Sequence, residues 1–103
     1  EAAAIHFVLY EEDQPLATLR LLPLSPSQVK LQRMAVQQDA RQKSLGKQLI
    51  LFAENYANEQ GYQTITLGAQ QTAIPFYEKI GYQPQGEPFM DAGIPHITMH
   101  KTI

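Results

Sequence analysis

The hydrophobic pattern of this chain predicts an α/β (α+β) layer fold, a central mixed and mostly antiparallel sheet with helices packed on it. Three observations carry that expectation. Three short apolar runs joined by turn residues open the chain. Two segments of helical period follow, each closed by a glycine, with a strand-like stretch between them and two more after. The implied order is β-β-β-α-β-α-β-β, with no repeat, low-complexity tract or linker, and 103 residues suit one domain around one core.

Each element has a local reason. Residues 5–10 are an apolar run stopped by the acidic turn Glu11-Glu12-Asp13-Gln14-Pro15. Residues 16–22 have strand character and end at Pro23, which leaves Pro23-Leu24-Ser25-Pro26 as loop. A third strand runs from about residue 28 to 36, and the three read as an antiparallel meander. Leu45, Leu49, Phe52, Ala53 and Tyr56 recur at helical spacing. They predict a helix over residues 44–60 with those side chains in the core and Gly61 in the C′ position. Residues 63–67 alternate as a strand ending at Gly68. A second helix covers residues 71–80, with Pro75 early enough that its missing N–H is tolerated, and Gly81 closes it. Strands near 86–90 and 96–102 finish the chain around the turn Asp91-Ala92-Gly93-Ile94-Pro95. Tyr62 and Tyr82, each after a helix-ending glycine, are expected to pack against the sheet.

Composition removes several classes of function. There is no cysteine, which excludes disulfides, thiolate metal sites and cysteine nucleophiles. His6, His96 and His100 lack the spacing of a helical zinc pair, so no metal is expected. A net charge of −2 without a basic stripe gives no support to a nucleic-acid surface. No apolar run approaches the roughly 20 residues that span a bilayer, and no signal peptide is visible, so the expected location is cytoplasmic.

The strongest functional signal is the segment Arg41-Gln42-Lys43-Ser44-Leu45-Gly46-Lys47, which lies between the third strand and the first helix. A helix N-terminus offers unpaired N–H groups and partial positive charge, which together hold a phosphate or pyrophosphate. Gly46 lets the backbone approach a ligand, and Arg41, Lys43 and Lys47 add positive charge. Helix capping with a solvated lysine is the plainer alternative. A P-loop fits poorly, because Gly46-Lys47 is followed by Gln48 and position 41 is arginine.

That loop, aligned on Gln/Arg-x-x-Gly-x-Gly/Ala, resembles the phosphate motif of the GNAT superfamily of acyl-CoA N-acyltransferases. The segment Ile74-Pro75-Phe76-Tyr77-Glu78-Lys79-Ile80-Gly81-Tyr82 is similar to that family's Phe-Tyr-Glu-Lys-x-Gly-Phe signature. Residues 86–99 resemble the ending of its ElaA-like subgroup. The resemblance spans residues 5–102 and departs from the family at two points. Ser44 stands where the family's first glycine is usual, and Gln42 replaces another. A Cβ at position 44 would narrow the approach of a pyrophosphate if positive φ is needed there. Serine is also a good helix-start residue whose hydroxyl can bond a phosphate oxygen. A strand and one or two helices usually precede the residue equivalent to Ile5, so the domain is expected to be N-terminally incomplete.

The resemblance implies an acetyl-CoA-dependent N-acetyltransferase acting on a primary amine of a small molecule or a protein, with a non-catalytic CoA-binding protein as the alternative. By the same resemblance Met34, Ala35 and Val36 lie along the pantetheine arm, and the Val36 N–H polarises the thioester carbonyl. Arg41, Gln42, Lys43, Ser44, Leu45, Gly46 and Lys47 cradle the pyrophosphate, and Tyr77 is the general acid. A core tyrosine with a satisfied hydroxyl is the competing account of Tyr77. His6 and His96 are candidate bases or substrate contacts, set against the commoner structural or solvent-exposed histidine. Homodimers are common in such folds, and no residue here specifies an interface.

Overall fold

Alternation of buried and exposed side chains builds the first three strands as a meander: β1 (Ile5–Glu11), β2 (Gln14–Ser25) and β3 (Gln28–Val36). The computed structural model describes residues 3–38 and 44–103. Phe7, Ala17, Leu19, Leu21, Val29 and Leu31 are buried on one face of these strands. His6, Val8, Thr18, Arg20, Lys30 and Gln32 alternate onto the other, as a period of two requires. The β1–β2 turn is tighter than the acidic run suggested. Glu11 pairs with Gln14, and the two residues between them, Glu12 and Asp13, both take positive φ, as a type I′ hairpin demands. β2 also runs past Pro23, which was expected to end it, as far as Ser25. Pro23 pairs with Val29 of β3, whereas β1 begins opposite Leu21. Beyond that point β2 is an edge on the β1 side, where a missing N–H costs no ladder bond.

Helix α1 (Leu45–Glu59) covers the buried face of the meander. Its inward stripe is Leu45, Leu49, Ile50, Ala53, Glu54 and Ala57. Phe52, expected in the core, is 63% exposed and meets the Phe7 ring edge-on at 6.0 Å. The stripe is centred near Ala53, where Leu49, Ile50, Ala53 and Ala57 pack in the core beside Glu54, and this turns Phe52 to the rim. Both helices end in a Schellman arrangement. Gly61, at φ 92°, donates to the Asn58 carbonyl while Tyr62 donates to Ala57. Gly81, at φ 102°, donates to Glu78 while Tyr82 donates to Tyr77.

The chain then forms β4 (Thr64–Gln70), a short 3₁₀ turn at Gln71–Ala73, helix α2 (Ile74–Lys79), β5 (Gln83–Asp91) and β6 (Ile94–Thr102). The six strands lie in the order β1-β2-β3-β4-β6-β5, antiparallel except for β3 beside β4. Both final strands are longer than their apolar stretches implied, since only Ala92 and Gly93 separate the paired residues Asp91 and Ile94.

One polar cluster joins the second half of the molecule to α1. The Lys101 Nζ on β6 donates to Glu54 Oε1 at 2.8 Å and to the Ile80 carbonyl at 2.8 Å, and the Tyr82 hydroxyl donates to Glu54 Oε2 at 2.9 Å. Burial, the Glu54 charge and this hydrogen bond push the Tyr82 hydroxyl far above its ordinary pKa. Removing one member of such a buried pair leaves an uncompensated charge. Lys101→Ala should therefore lower the free energy of unfolding by about 3 kcal/mol, with most of it recovered in the apolar pair Glu54→Leu/Lys101→Met; urea denaturation measures both. The raised tyrosine also sets a pH dependence. Above about pH 10 the unfolded chain ionises its tyrosines while folded Tyr82 keeps its proton, so stability falls as pH rises. Urea melts from about pH 8 to about pH 10.5 should show that fall, and Tyr82→Phe should flatten it.

Candidate functional site

The site begins where the sheet comes apart. β3 and β4 pair only through Gln28↔Thr64, Val29↔Ile65 and Lys30↔Thr66. Farther along, β3 carries a bulge: Thr18 pairs with Ala35 and Arg20 with Gln32, so β3 has one residue more than β2 between these pairs, and Arg33 sits at φ 54°. A bulge bends its strand and strengthens the local twist. The bend carries Met34, Ala35 and Val36 away from β4 and opens a cleft of about 680 Å³ between the separated strands.

A second pocket, of about 430 Å³, lies against the start of α1 and is lined by Met34, Ala35, Val36, Ser44, Gly46, Lys47 and Phe76. Six of those seven are residues picked out from the sequence for the cofactor. Gln37 donates its N–H to the Leu16 carbonyl of β2. Strand alternation therefore directs the Met34 and Val36 amides to the opposite edge of β3, the one that faces the split. Ser44 precedes the helix at φ 57°, in the left-handed region that favours the glycine it replaces. Its side chain makes no capping bond, and the first turn of α1 carries no acidic residue. The start of α1 therefore has no side-chain cap from Ser44 and no carboxylate of its own to compete with an anion for its N–H groups.

Gly46 has a structural reason that the motif did not reveal. A Cβ there would stand 2.8 Å from Met34 Cε and 3.3 Å from Val36 Cγ2. The glycine lets the helix start lie directly on β3, so the space gained is filled by protein as well as adjoining the pocket. Leu45 is buried and does not line it. Arg41, Gln42 and Lys43 lie outside the described residues.

Met34 lines both cavities, which therefore adjoin at its side chain. In the larger one stands Tyr77, buried, with Phe76 and Tyr82 edge-on to its ring at 5.1 and 5.8 Å. Burial raises its pKa, so the hydroxyl keeps its proton through neutral and moderately alkaline solution. Among the described residues that hydroxyl has no hydrogen-bond partner, which sets it apart from the Tyr82 hydroxyl bound to Glu54. His96 reaches the same cleft from β6. Its ring stacks on Phe89 at 5.8 Å, and its Nδ1 lies 2.8 Å from the Ile94 carbonyl. A carbonyl can only accept, so Nδ1 carries a proton, and Nε2 is the nitrogen at which the ring can take up or release one. Gly68 on β4 makes room for Phe89, whose Cζ would lie 3.2 Å from a Cβ there. His6 is elsewhere, exposed on the edge strand β1 opposite Arg20 and outside the cleft lining.

Sequence reasoning did not single out Arg20, Lys30, Arg33, Phe89 and Asp91, all of which line the cleft. One signal was available. Val29 and Leu31 point inward, and strict alternation would bury Arg33 after them. An arginine at an inward position marks the place where the alternation, and with it the strand, has to break. Among the described residues no three His, Asp or Glu side chains group as a metal site.

The chain matches the acetyltransferase (GNAT) domain family over residues 1–103. It is 36% identical over 98 residues to the uncharacterized protein YyaT of Bacillus subtilis, an alignment covering 95% of this chain and 66% of that protein. The solved acyl-CoA N-acyltransferase of Pseudomonas aeruginosa superposes with a TM-score of 0.84 at 30% identity, over 98% of this chain and 70% of that one. Escherichia coli ElaA does so with a TM-score of 0.86 at 25% identity, over 98% and 70%. The chain spans about two thirds of the length of the curated relatives it matches. That match over the whole chain shows the family: the chain belongs to the GNAT acetyltransferases.

Proposed function

We propose that this chain carries the active site of an acetyl-CoA-dependent N-acetyltransferase that moves acetyl directly to a primary amine. The observation that carries the proposal is that the two cavities share Met34: a pocket at the start of α1, suited to the donor, adjoins a cleft holding Tyr77 and His96, suited to the acceptor. Acetyl-CoA supplies an acyl carbon activated as a thioester and two phosphate-bearing segments that suit an anion site. Ser44, the first N–H groups of α1 and Lys47 hold the pyrophosphate, and Arg41, Gln42 and Lys43 complete that cradle by their place in the motif, with the Leu45 side chain anchoring the helix start in the core. Met34, Ala35, Val36 and Gly46 line the path from there to the cleft.

The acceptor amine has to be neutral to attack. His96 Nε2 takes its proton, and the tautomer fixed by the Ile94 carbonyl keeps that nitrogen ready. The Val36 amide, on the edge of β3 facing the split, polarises the acyl oxygen. As the carbon–nitrogen bond forms and the carbon–sulfur bond breaks, the Tyr77 hydroxyl gives a proton to the departing sulfur and regains one from solvent. The reading places the protein in the cytoplasm, where acetyl-CoA is available.

Isothermal titration with CoA tests the donor pocket. The exposed Lys47→Glu change should weaken binding about tenfold while leaving the fold intact, because it reverses a charge beside the pyrophosphate. Turnover tests the acid. Tyr77→Phe should lower kcat about a hundredfold and leave the KM for acetyl-CoA within about twofold; full kcat in that variant at every pH would remove Tyr77 from the chemistry. CoA binding with no transfer to any primary amine would favour the binding-only alternative.

A further inference from the structure

The acceptor cleft has a charge pattern that the chain as a whole does not. The protein carries a net charge of −2, yet three cationic side chains, Arg20, Lys30 and Arg33, face the cleft against one carboxylate, Asp91. None of the three is neutralised, since the Glu54–Lys101 pair is the one salt bridge among the described residues. The cations gather on the wall made by β2 and β3, and Asp91 stands with His96 on the hairpin opposite. Arg20 is also held in place. Its Nε donates to Gln32 Oε1 at 2.9 Å, which leaves the two terminal nitrogens of the guanidinium for a bidentate contact with an oxyanion.

From this placement we infer that the acceptor is a small primary amine that also bears an anionic group, a carboxylate or a phosphate. The anion is held by Arg20 and Lys30, and the amine lies toward His96. The inference rests on the acetyltransferase reading and narrows its substrate class. A second cation on the acceptor would be repelled by the wall that an anion finds attractive, so diamines and polyamines are selected against.

Four amines of similar size separate the outcomes: ethanolamine, β-alanine, O-phosphoethanolamine and 1,3-diaminopropane, each assayed by CoA release and by calorimetric binding to the CoA-loaded chain. β-Alanine or O-phosphoethanolamine should exceed ethanolamine by about tenfold or more in kcat/KM or affinity, with 1,3-diaminopropane the poorest. Which of the two anions leads tells carboxylate from phosphate. Arg20→Gln and Lys30→Gln should each reduce the preference for the anionic amine about tenfold, mostly through KM, and Arg20→Lys should restore part of it. That ratio is a readout that a purely structural role for Arg20 would not move. Equal use of all four amines, a lead for 1,3-diaminopropane, or no binding of either anionic amine to a chain that binds CoA overturns this inference alone. Failure to bind CoA overturns the acetyltransferase reading beneath it.

Discussion

A single buried carboxylate, Glu54, ties together two halves that the sheet itself barely connects. β1, β2, β3 and α1 form one half; β4, α2, β5 and β6 form the other, and the strands between them pair over three residues before parting. That parting creates the site, and it also removes the ladder bonds that would otherwise fix the angle between the halves. Glu54 on α1 replaces them, since it accepts from Lys101 on β6 and from Tyr82 just after α2. Lys101 in turn donates to the carbonyl of Ile80 at the end of α2. Tyr77, three residues before Ile80, is held in the cleft by the same cluster, its ring against that of Tyr82. Polar groups buried in this way are costly unless every partner is present, so the arrangement favours one geometry over a range of splay angles.

The chemistry follows from the opening. A strand that leaves its neighbour turns backbone amides toward the gap, and β3 does so at Met34 and Val36 beside the start of α1. One bulge residue, Arg33, turns the strand outward and adds a charge to the cleft. Tyr77 and His96 reach it from α2 and β6, elements held at a distance from β3 by the split.

Much of this was legible in the sequence, because the signals were local. The order of elements and both helix-ending glycines depend on short-range pattern, and the structure shows each of them. The misses came from tertiary contacts. Pro23 continues β2 because no strand needs its N–H there. Phe52 lies outside because the inner face of α1 is set by the contacts of Ile50, Ala53, Glu54 and Ala57 with a core that includes residues far along the chain. Gly46 fits a phosphate motif, but its contact with Met34 and Val36 could be seen only once helix and strand had been brought together. Ser44 is the converse case. A departure from the motif raised the question of positive φ, and the backbone does adopt it.

Amide shift mapping by NMR during titration with CoA addresses most directly the assignment of the split and the start of α1 to the donor. Saturable shifts concentrated at Met34–Val36 and Ser44–Lys47, extending to Tyr77, are the predicted result. Saturable shifts confined to another surface, with those amides unmoved, would contradict it.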